Sequence, residues 1–199
     1  MKNKFENIAN AIDSNGYIIL TDFINTETLN ALSLQCQKIA QTDFKKAGIG
    51  KNNNHQINSE IRSDQIYWVQ ENKELPQEYL ENLESLRLAL NQKLFLGLFD
   101  FECHFAQYSK GTFYKKHIDA FKGVGLRVLS SILYLNPDWK PGDGGELIIY
   151  APNNNTIIET ITPTFGKQVF FLSEMFPHEV LETHKPRQSL TGWFRINQK

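Results

Sequence analysis

The chain has 199 residues, long enough to bury roughly 70% of its unfolded surface without disulfide support. Apolar residues make up 41% and charged residues 22%, which excludes global disorder. The formal net charge of −1 argues against a mainly electrostatic grip on nucleic acid or anionic lipid and leaves open only a local basic patch. The two cysteines, Cys36 and Cys103, lie in apolar periodic segments and read as buried thiols; without a Cys-x-x-Cys pair a thiolate zinc site is excluded. The start, Met1 to Asn7, has no apolar core of a signal peptide after it, and no run of about 18 apolar residues occurs. A soluble cytoplasmic protein with no membrane contact is the expectation.

In chain order, Gly16 to Leu20 predicts a buried strand. Asn25-Thr26 can cap a helix carrying Leu29, Leu32, Cys36 and Ile39 on one face. Residues 41–60 are polar, with Gly48, Gly50 and Asn52-Asn53-Asn54, and read as a long surface loop. Ile61 to Val69 reads as strand. A helix follows Pro76, with Tyr79, Leu83, Leu86, Leu90 and Leu94 along one side. From about residue 100 the period changes to two. Strands are predicted over 101–108, 113–119, 126–135, 145–151, 155–161, 167–172, 177–182 and 189–196, separated by Gly, Pro and Asn turn signals. The fold class is therefore α+β, mainly β: a two-sheet jelly roll with N-terminal helices packed on one sheet. No repeat or linker divides it. Residues 1–199 read as one domain, with 1–99 as helical support, flanking strands and a substrate-side loop, and 100–199 as the jelly-roll core.

Three features carry chemistry. In His117-Ile118-Asp119, strand geometry sends His117 and Asp119 to the same face. His178, in Phe176-Pro177-His178-Glu179-Val180, lies on a late strand that a rolled sheet can bring alongside. Two imidazoles and a carboxylate suit non-haem Fe(II) with open positions for O2, although zinc or manganese would also bind. The third feature is Arg187, which shares a strand face with Ser189, Thr191 and Trp193. Its planar fork grips a carboxylate, and burial would oblige it to find one. His104, His184 and His55 read as structural or solvated, and Trp139 as packing a turn.

These residues, from about Ile61 to Ile196, resemble the Fe(II)/2-oxoglutarate-dependent dioxygenases. Within them the similarity is greatest to prolyl 4-hydroxylases of the oxygen-sensing (HIF prolyl hydroxylase) type and their bacterial relatives. It is carried by Ile61-Arg62-Ser63-Asp64-Gln65-Ile66-Tyr67-Trp68, Ala106-Gln107-Tyr108, His117-Ile118-Asp119 and Leu133-Tyr134-Leu135-Asn136 with Asp138-Trp139. It continues through Gly144-Gly145-Glu146-Leu147, Pro177-His178-Glu179-Val180, and Arg187 with Trp193.

The resemblance implies a double-stranded β-helix with His117, Asp119 and His178 as iron ligands. It implies that Arg187 and Tyr134 hold the distal carboxylate of 2-oxoglutarate. Tyr108 would lie near the chelating end, with Thr191 and Trp193 also lining the co-substrate pocket. Arg62, Asp64 and Arg127 would shape the substrate entrance, with an Asp64–Arg127 ion pair possible there and residues 41–60 as a lid. The implied reaction is O2- and 2-oxoglutarate-dependent prolyl 4-hydroxylation of a protein substrate with an exposed prolyl loop, releasing succinate and CO2, with ascorbate in support. The carboxylate of Asp119 argues against halogenation, which needs that position for a halide. Alternatives are an oxygenase acting on another protein side chain or a small molecule such as free proline, and a non-catalytic metal-binding jelly-roll sensor. Nucleic acid is not an expected partner, and the oligomeric state is left open.

Overall fold

The computed structural model describes residues 2–48, 58–70, 74–120 and 125–197. Among them the element order is α1 (Lys2–Asn15), β1 (Tyr17–Leu20), α2 (Thr26–Lys38), β2 (Lys45–Lys46), β3 (Gln65–Trp68), α3 (Gln77–Leu94), β4 (Leu98–Tyr108), β5 (Tyr114–His117), β6 (Arg127–Tyr134), β7 (Leu147–Tyr150), β8 (Ile157–Ile161), β9 (Gln168–Leu172), β10 (His178–Val180) and β11 (Arg187–Ile196). A seven-stranded sheet runs β1-β9-β6-β11-β4-β3-β2 and a four-stranded sheet runs β5-β10-β7-β8. All their pairings are antiparallel. This is the jelly roll with helical support that the sequence predicts.

Alternation along the strands of the larger sheet builds two cores. Phe105, Leu129, Leu133, Phe170, Leu190 and Phe194 face away from the smaller sheet and pack against Phe5, Ile8 and Ile12 of α1, Leu32 of α2, and Leu83 and Leu86 of α3. Ala106, Tyr108, Ile132, Tyr134, Val169 and Phe171 point the other way. They meet Leu147, Ile149 and Val180 of the smaller sheet. A one-residue slip of any central strand would exchange these faces, so the pattern fixes the register. Gly192 keeps β11 close to β4: a Cβ there would meet Phe101 Cζ at 2.4 Å and Glu102 O at 2.6 Å.

Asn25 caps α2 as expected, its side chain accepting from Thr28 N at 2.8 Å. Four differences from the predicted elements stand out. Helix α1 was not resolved from sequence as an element of its own, although Phe5, Ile8, Ala9 and Ile12 are buried at helical spacing; the interleaved Asn and Asp residues dilute that pattern. The polar segment 41–60 is not all loop, because β2 pairs with β3 and Phe44 and Ala47 are buried. Residues 49–57, where the lid and His55 fall, lie outside the described residues, as does the turn at Gly123. The predicted strand 61–69 contracts to β3, with Arg62 forming an isolated bridge to Tyr114. Strand β5 ends at His117, which places Asp119 in a bend and not on the strand.

Candidate active site

The smaller sheet presents the two histidines. His117 is the last residue of β5 and His178 the first of β10, and they are direct cross-strand partners. Their ring centres lie 4.2 Å apart. Asp119 reaches the same point from the bend, with Oδ1 3.6 Å from Nε2 of each histidine. The three ligand atoms all lie within 4.8 Å of one another.

The backbone sets the imidazole tautomers. His117 Nδ1 lies 2.8 Å from Lys115 O, and His178 Nδ1 lies 2.9 Å from Phe176 O. A carbonyl accepts only, so each Nδ1 carries the proton and each Nε2 offers its lone pair to the site. Burial first, and then the neighbouring His117, lowers the pKa of His178 to about 4, so its ring stays neutral at physiological pH. Burial alone would raise Asp119. His178, His117 and the Ser130 hydroxyl outweigh it and hold the carboxyl well below the usual range.

The larger sheet holds the carboxylate. Ser130 Oγ of β6 donates to Asp119 Oδ2 at 2.6 Å, and Trp193 Nε1 of β11 donates to the same oxygen at 2.9 Å. Ser173 Oγ lies 2.9 Å from Ser130 Oγ behind them. Oδ2 is thereby occupied and Oδ1 is left facing the histidines. The sequence put Trp193 on this face but among the co-substrate residues, and it missed Ser130. The alternation with Ile132 and Tyr134 was the available signal.

At the other end of the cavity stands Arg187, 1% exposed. It is the first residue of β11 and lies opposite Tyr108. Its Nε donates to Gly145 O at 2.9 Å. Its Cζ lies 4.7 Å from the Tyr108 ring centre and 5.0 Å from that of Tyr134. The buried Tyr134 hydroxyl has no hydrogen-bond partner among the described residues. Burial pushes Tyr134 up to about 12 and raises Tyr108 as well, so both phenols keep their protons. His117, Asp119, His178, Arg187, Tyr108 and Thr191 line a single cavity of about 640 Å³.

The residues expected at the substrate entrance pair differently from expectation. Asp64 is bound by Arg62 through Nε at 2.6 Å and Nη2 at 2.9 Å, and Arg62 Cζ sits 4.4 Å from the Tyr114 ring centre. Arg127 Nε instead donates to Glu102 Oε1 at 2.8 Å. Strands β11 and β4 separate β6 from β3. At about 4.8 Å per strand spacing, that leaves Asp64 and Arg127 too far apart to meet. His104 is 2% exposed and lines the cavity. Its ring lies 5.0 Å from Trp68 and 5.5 Å from Trp193, and its Nδ1 has no partner among the described residues. His184 is an exposed loop residue, its Nδ1 2.8 Å from Gly142 O. Trp139 packs its turn, donating to Gly144 O at 3.2 Å.

The residues fit the groups the sequence suggests. Two imidazoles and one carboxylate oxygen are a donor set that suits Fe(II) and leaves coordination positions open. A buried guanidinium with no described carboxylate beside it, next to a phenol whose hydroxyl makes no geometric hydrogen bond among the described residues, fits the free end of a diacid.

Comparison with known proteins agrees. Residues 103–195 match the 2OG-Fe(II) oxygenase superfamily. The crystal structure of a Pseudomonas putida prolyl-4-hydroxylase superposes with a TM-score of 0.86 at 36% identity, over 98% of this chain and 100% of that one. A Trichoplax adhaerens prolyl hydroxylase, solved with a hypoxia inducible factor oxygen degradation domain peptide fragment, gives 0.84 at 26% identity, over 98% and 90% of the two chains. Human Egl nine homolog 1 is 27% identical over 204 residues, covering 98% of this chain and 47% of that protein. This chain belongs to the 2OG-Fe(II) oxygenase superfamily, whose chemistry uses Fe(II), 2-oxoglutarate and O2, and within it to the prolyl hydroxylases. It spans about half the length of the first curated relatives it matches. No described helix is long and apolar enough to cross a membrane.

Proposed function

We propose that the chain, acting through residues 1–199 as one unit, hydroxylates a prolyl residue in a protein substrate at C4, consuming O2 and 2-oxoglutarate and releasing succinate and CO2. The observation that carries this reading is one cavity bounded by a His-Asp-His cluster and a buried arginine with no carboxylate partner among the described residues.

In this reading Nε2 of His117, Nε2 of His178 and Oδ1 of Asp119 hold Fe(II). When bound, the metal with its keto acid supplies the O2 activation and oxidising power for C–H hydroxylation. The protein's part is geometry. Lys115 O and Phe176 O keep both rings in the binding tautomer. Ser130 and Trp193 keep Asp119 presenting a single oxygen. Arg187 would hold the distal carboxylate of 2-oxoglutarate by charge-assisted hydrogen bonds, with the Tyr134 hydroxyl as a further donor. Thr191 and Tyr108 would line the co-substrate's part of the cavity. Ile132, Leu147 and Val180 give the cavity an apolar lining there, which would exclude water and limit uncoupled side reactions. Arg62, Tyr114, Ile118 and Arg127 lie where a peptide would enter. A disordered prolyl loop of another cytoplasmic protein is the substrate class, with ascorbate supporting repeated turnover.

The test is to supply the purified chain with Fe(II), 2-oxoglutarate and proline-containing peptides. Succinate release with a peptide heavier by one oxygen atom is the expected result. Succinate release only with free proline or another small molecule would replace the substrate assignment. Bound metal without turnover would leave the sensor reading.

A further inference from the structure

The group that fixes the iron-binding carboxylate is itself fixed by a line of charges crossing the larger sheet. Trp193 donates its indole N–H to Asp119 Oδ2. The guanidinium of Arg127 lies over that indole, its Cζ 3.5 Å from the ring centre. Arg127 Nε is held by Glu102 Oε1 at 2.8 Å, and Arg195 Nη1 holds Glu102 Oε2 at 2.7 Å. Arg195 is anchored in turn by both oxygens of Asp100, at 2.9 Å and 2.5 Å. Four side chains of alternating sign thus run along β4, β11 and β6 and end on the indole.

We infer that Arg127 is a positioning residue for the metal centre: stacked on Trp193 and oriented by Glu102, it holds the indole N–H on Asp119 Oδ2 so that Oδ1 alone faces the metal. The inference deepens the proposed function and rests on the His117-Asp119-His178 metal assignment within it.

The physical reasons are three. A cation over an indole face is an attraction that strengthens as the pair leaves water. The side chain of Arg127 is three-quarters buried, so the contact is only partly screened. A planar guanidinium gripped at Nε by a carboxylate has little freedom to rotate away, whereas a lone surface arginine samples many rotamers. Finally, Trp193 is held elsewhere by ring contacts, with His104 at 5.5 Å and Trp68 at 6.2 Å. Ring contacts tolerate small rotations of the indole; a hydrogen bond of 2.9 Å does not. Arg127 therefore acts on the metal site through Trp193, although the resemblance alone assigns it to the substrate entrance.

The experiment is titration of the metal-free chain with Mn(II) in the presence of 2-oxoglutarate, reading free Mn(II) by its EPR signal. Trp193→Phe removes the indole N–H and is expected to weaken Mn(II) binding by about 10- to 100-fold, the range seen when a partner of a metal ligand is lost. Arg127→Met keeps length without charge and is expected to weaken it by roughly 10-fold, with Glu102→Gln falling between Arg127→Met and wild type. Arg127→Lys returns a cation over the indole and is expected to recover most of the loss. A merely structural role for Arg127 would lower the melting temperature of the metal-free chain in both Arg127 variants alike and would not separate Lys from Met in Mn(II) affinity. Unchanged Mn(II) affinity in Arg127→Met, or equal loss in Arg127→Lys, overturns the inference. A wild-type chain that binds Mn(II) but hydroxylates no prolyl peptide overturns the proposed substrate and leaves this inference standing.

Discussion

His178 pairs directly with His117 across the β10–β5 ladder, and on its other side β10 pairs with β7 through Ile149. A strand of three residues held on both sides has little freedom, so both imidazoles are presented by backbone and not by loop conformation. Asp119 is the candidate ligand without that support. It depends on Ser130 and Trp193 from the opposite sheet, and the consequences of mutation follow from that asymmetry.

Asp119→Ala removes the only carboxylate of the cluster. Mn(II) affinity is expected to fall by more than about 100-fold, beyond the usual effect of losing a mere partner of a ligand, and succinate release should cease. Circular dichroism should change little, because Asp119 sits in a bend outside the strands. Full turnover in this variant would remove the ligand assignment.

Ser130→Ala deletes one of two donors to Asp119 Oδ2 and leaves Trp193 in place. Mn(II) affinity should drop by roughly 10-fold. The variant Ser173→Ala, one hydrogen bond further back, should have a smaller effect in the same titration.

Arg187→Met should raise the 2-oxoglutarate concentration for half-maximal succinate release by about 10- to 100-fold, the equivalent of about 1.5–3 kcal/mol for a charged hydrogen bond. Gly145→Ala tests the same anchor from behind. Gly145 has φ +66°, and a Cβ there would meet Arg187 Cδ at 2.9 Å. It should cost about 1–3 kcal/mol of stability from backbone strain, seen in urea melts, and should raise the 2-oxoglutarate requirement as well.

His104 gives a pH-dependent term. Burial first, then Arg62 and Arg127, lowers its pKa from 6.5 to about 3. Between those values the unfolded chain binds a proton that the folded chain refuses. The contribution is therefore complete above pH 6.5 and is lost as pH falls toward 3. At pH 5 the loss is about 2 kcal/mol. His104→Met should shrink the stability difference between pH 7 and pH 5 by about that amount in urea melts. His178 shifts in the same direction and contributes equally to both chains. An unchanged difference would show that His104 is protonated in the folded state.

Much of this was legible in the sequence because it is periodic. Arg187, Ser189, Thr191 and Trp193 alternate, and all four line the cavity. The leucine stripe of α3 is buried at Leu83, Leu86 and Leu90 as its spacing predicts. What escaped depends on strand order. Which residue faces Asp119 is decided by where β6 and β11 fall in the sheet, and no local pattern encodes that. The same ordering separates Asp64 from Arg127 and gives Arg127 its partner Glu102, whereas Asp64 takes its neighbour two residues back, Arg62. Asp119 was found through a strand periodicity that in fact stops at His117; the side chain still reaches the site because Ser130 and Trp193 draw it there.

The histidine pair belongs to the four-stranded sheet and the arginine anchor to the seven-stranded one. A diacid chelated at one end and clamped at the other would act as a rivet through both layers. Occupancy and rigidity are then one quantity: at a hundredfold excess over its dissociation constant such a ligand adds about 2.7 kcal/mol to the folded state, and slowed amide exchange in β5, β10 and the first half of β11 would report how tightly the two layers are fastened.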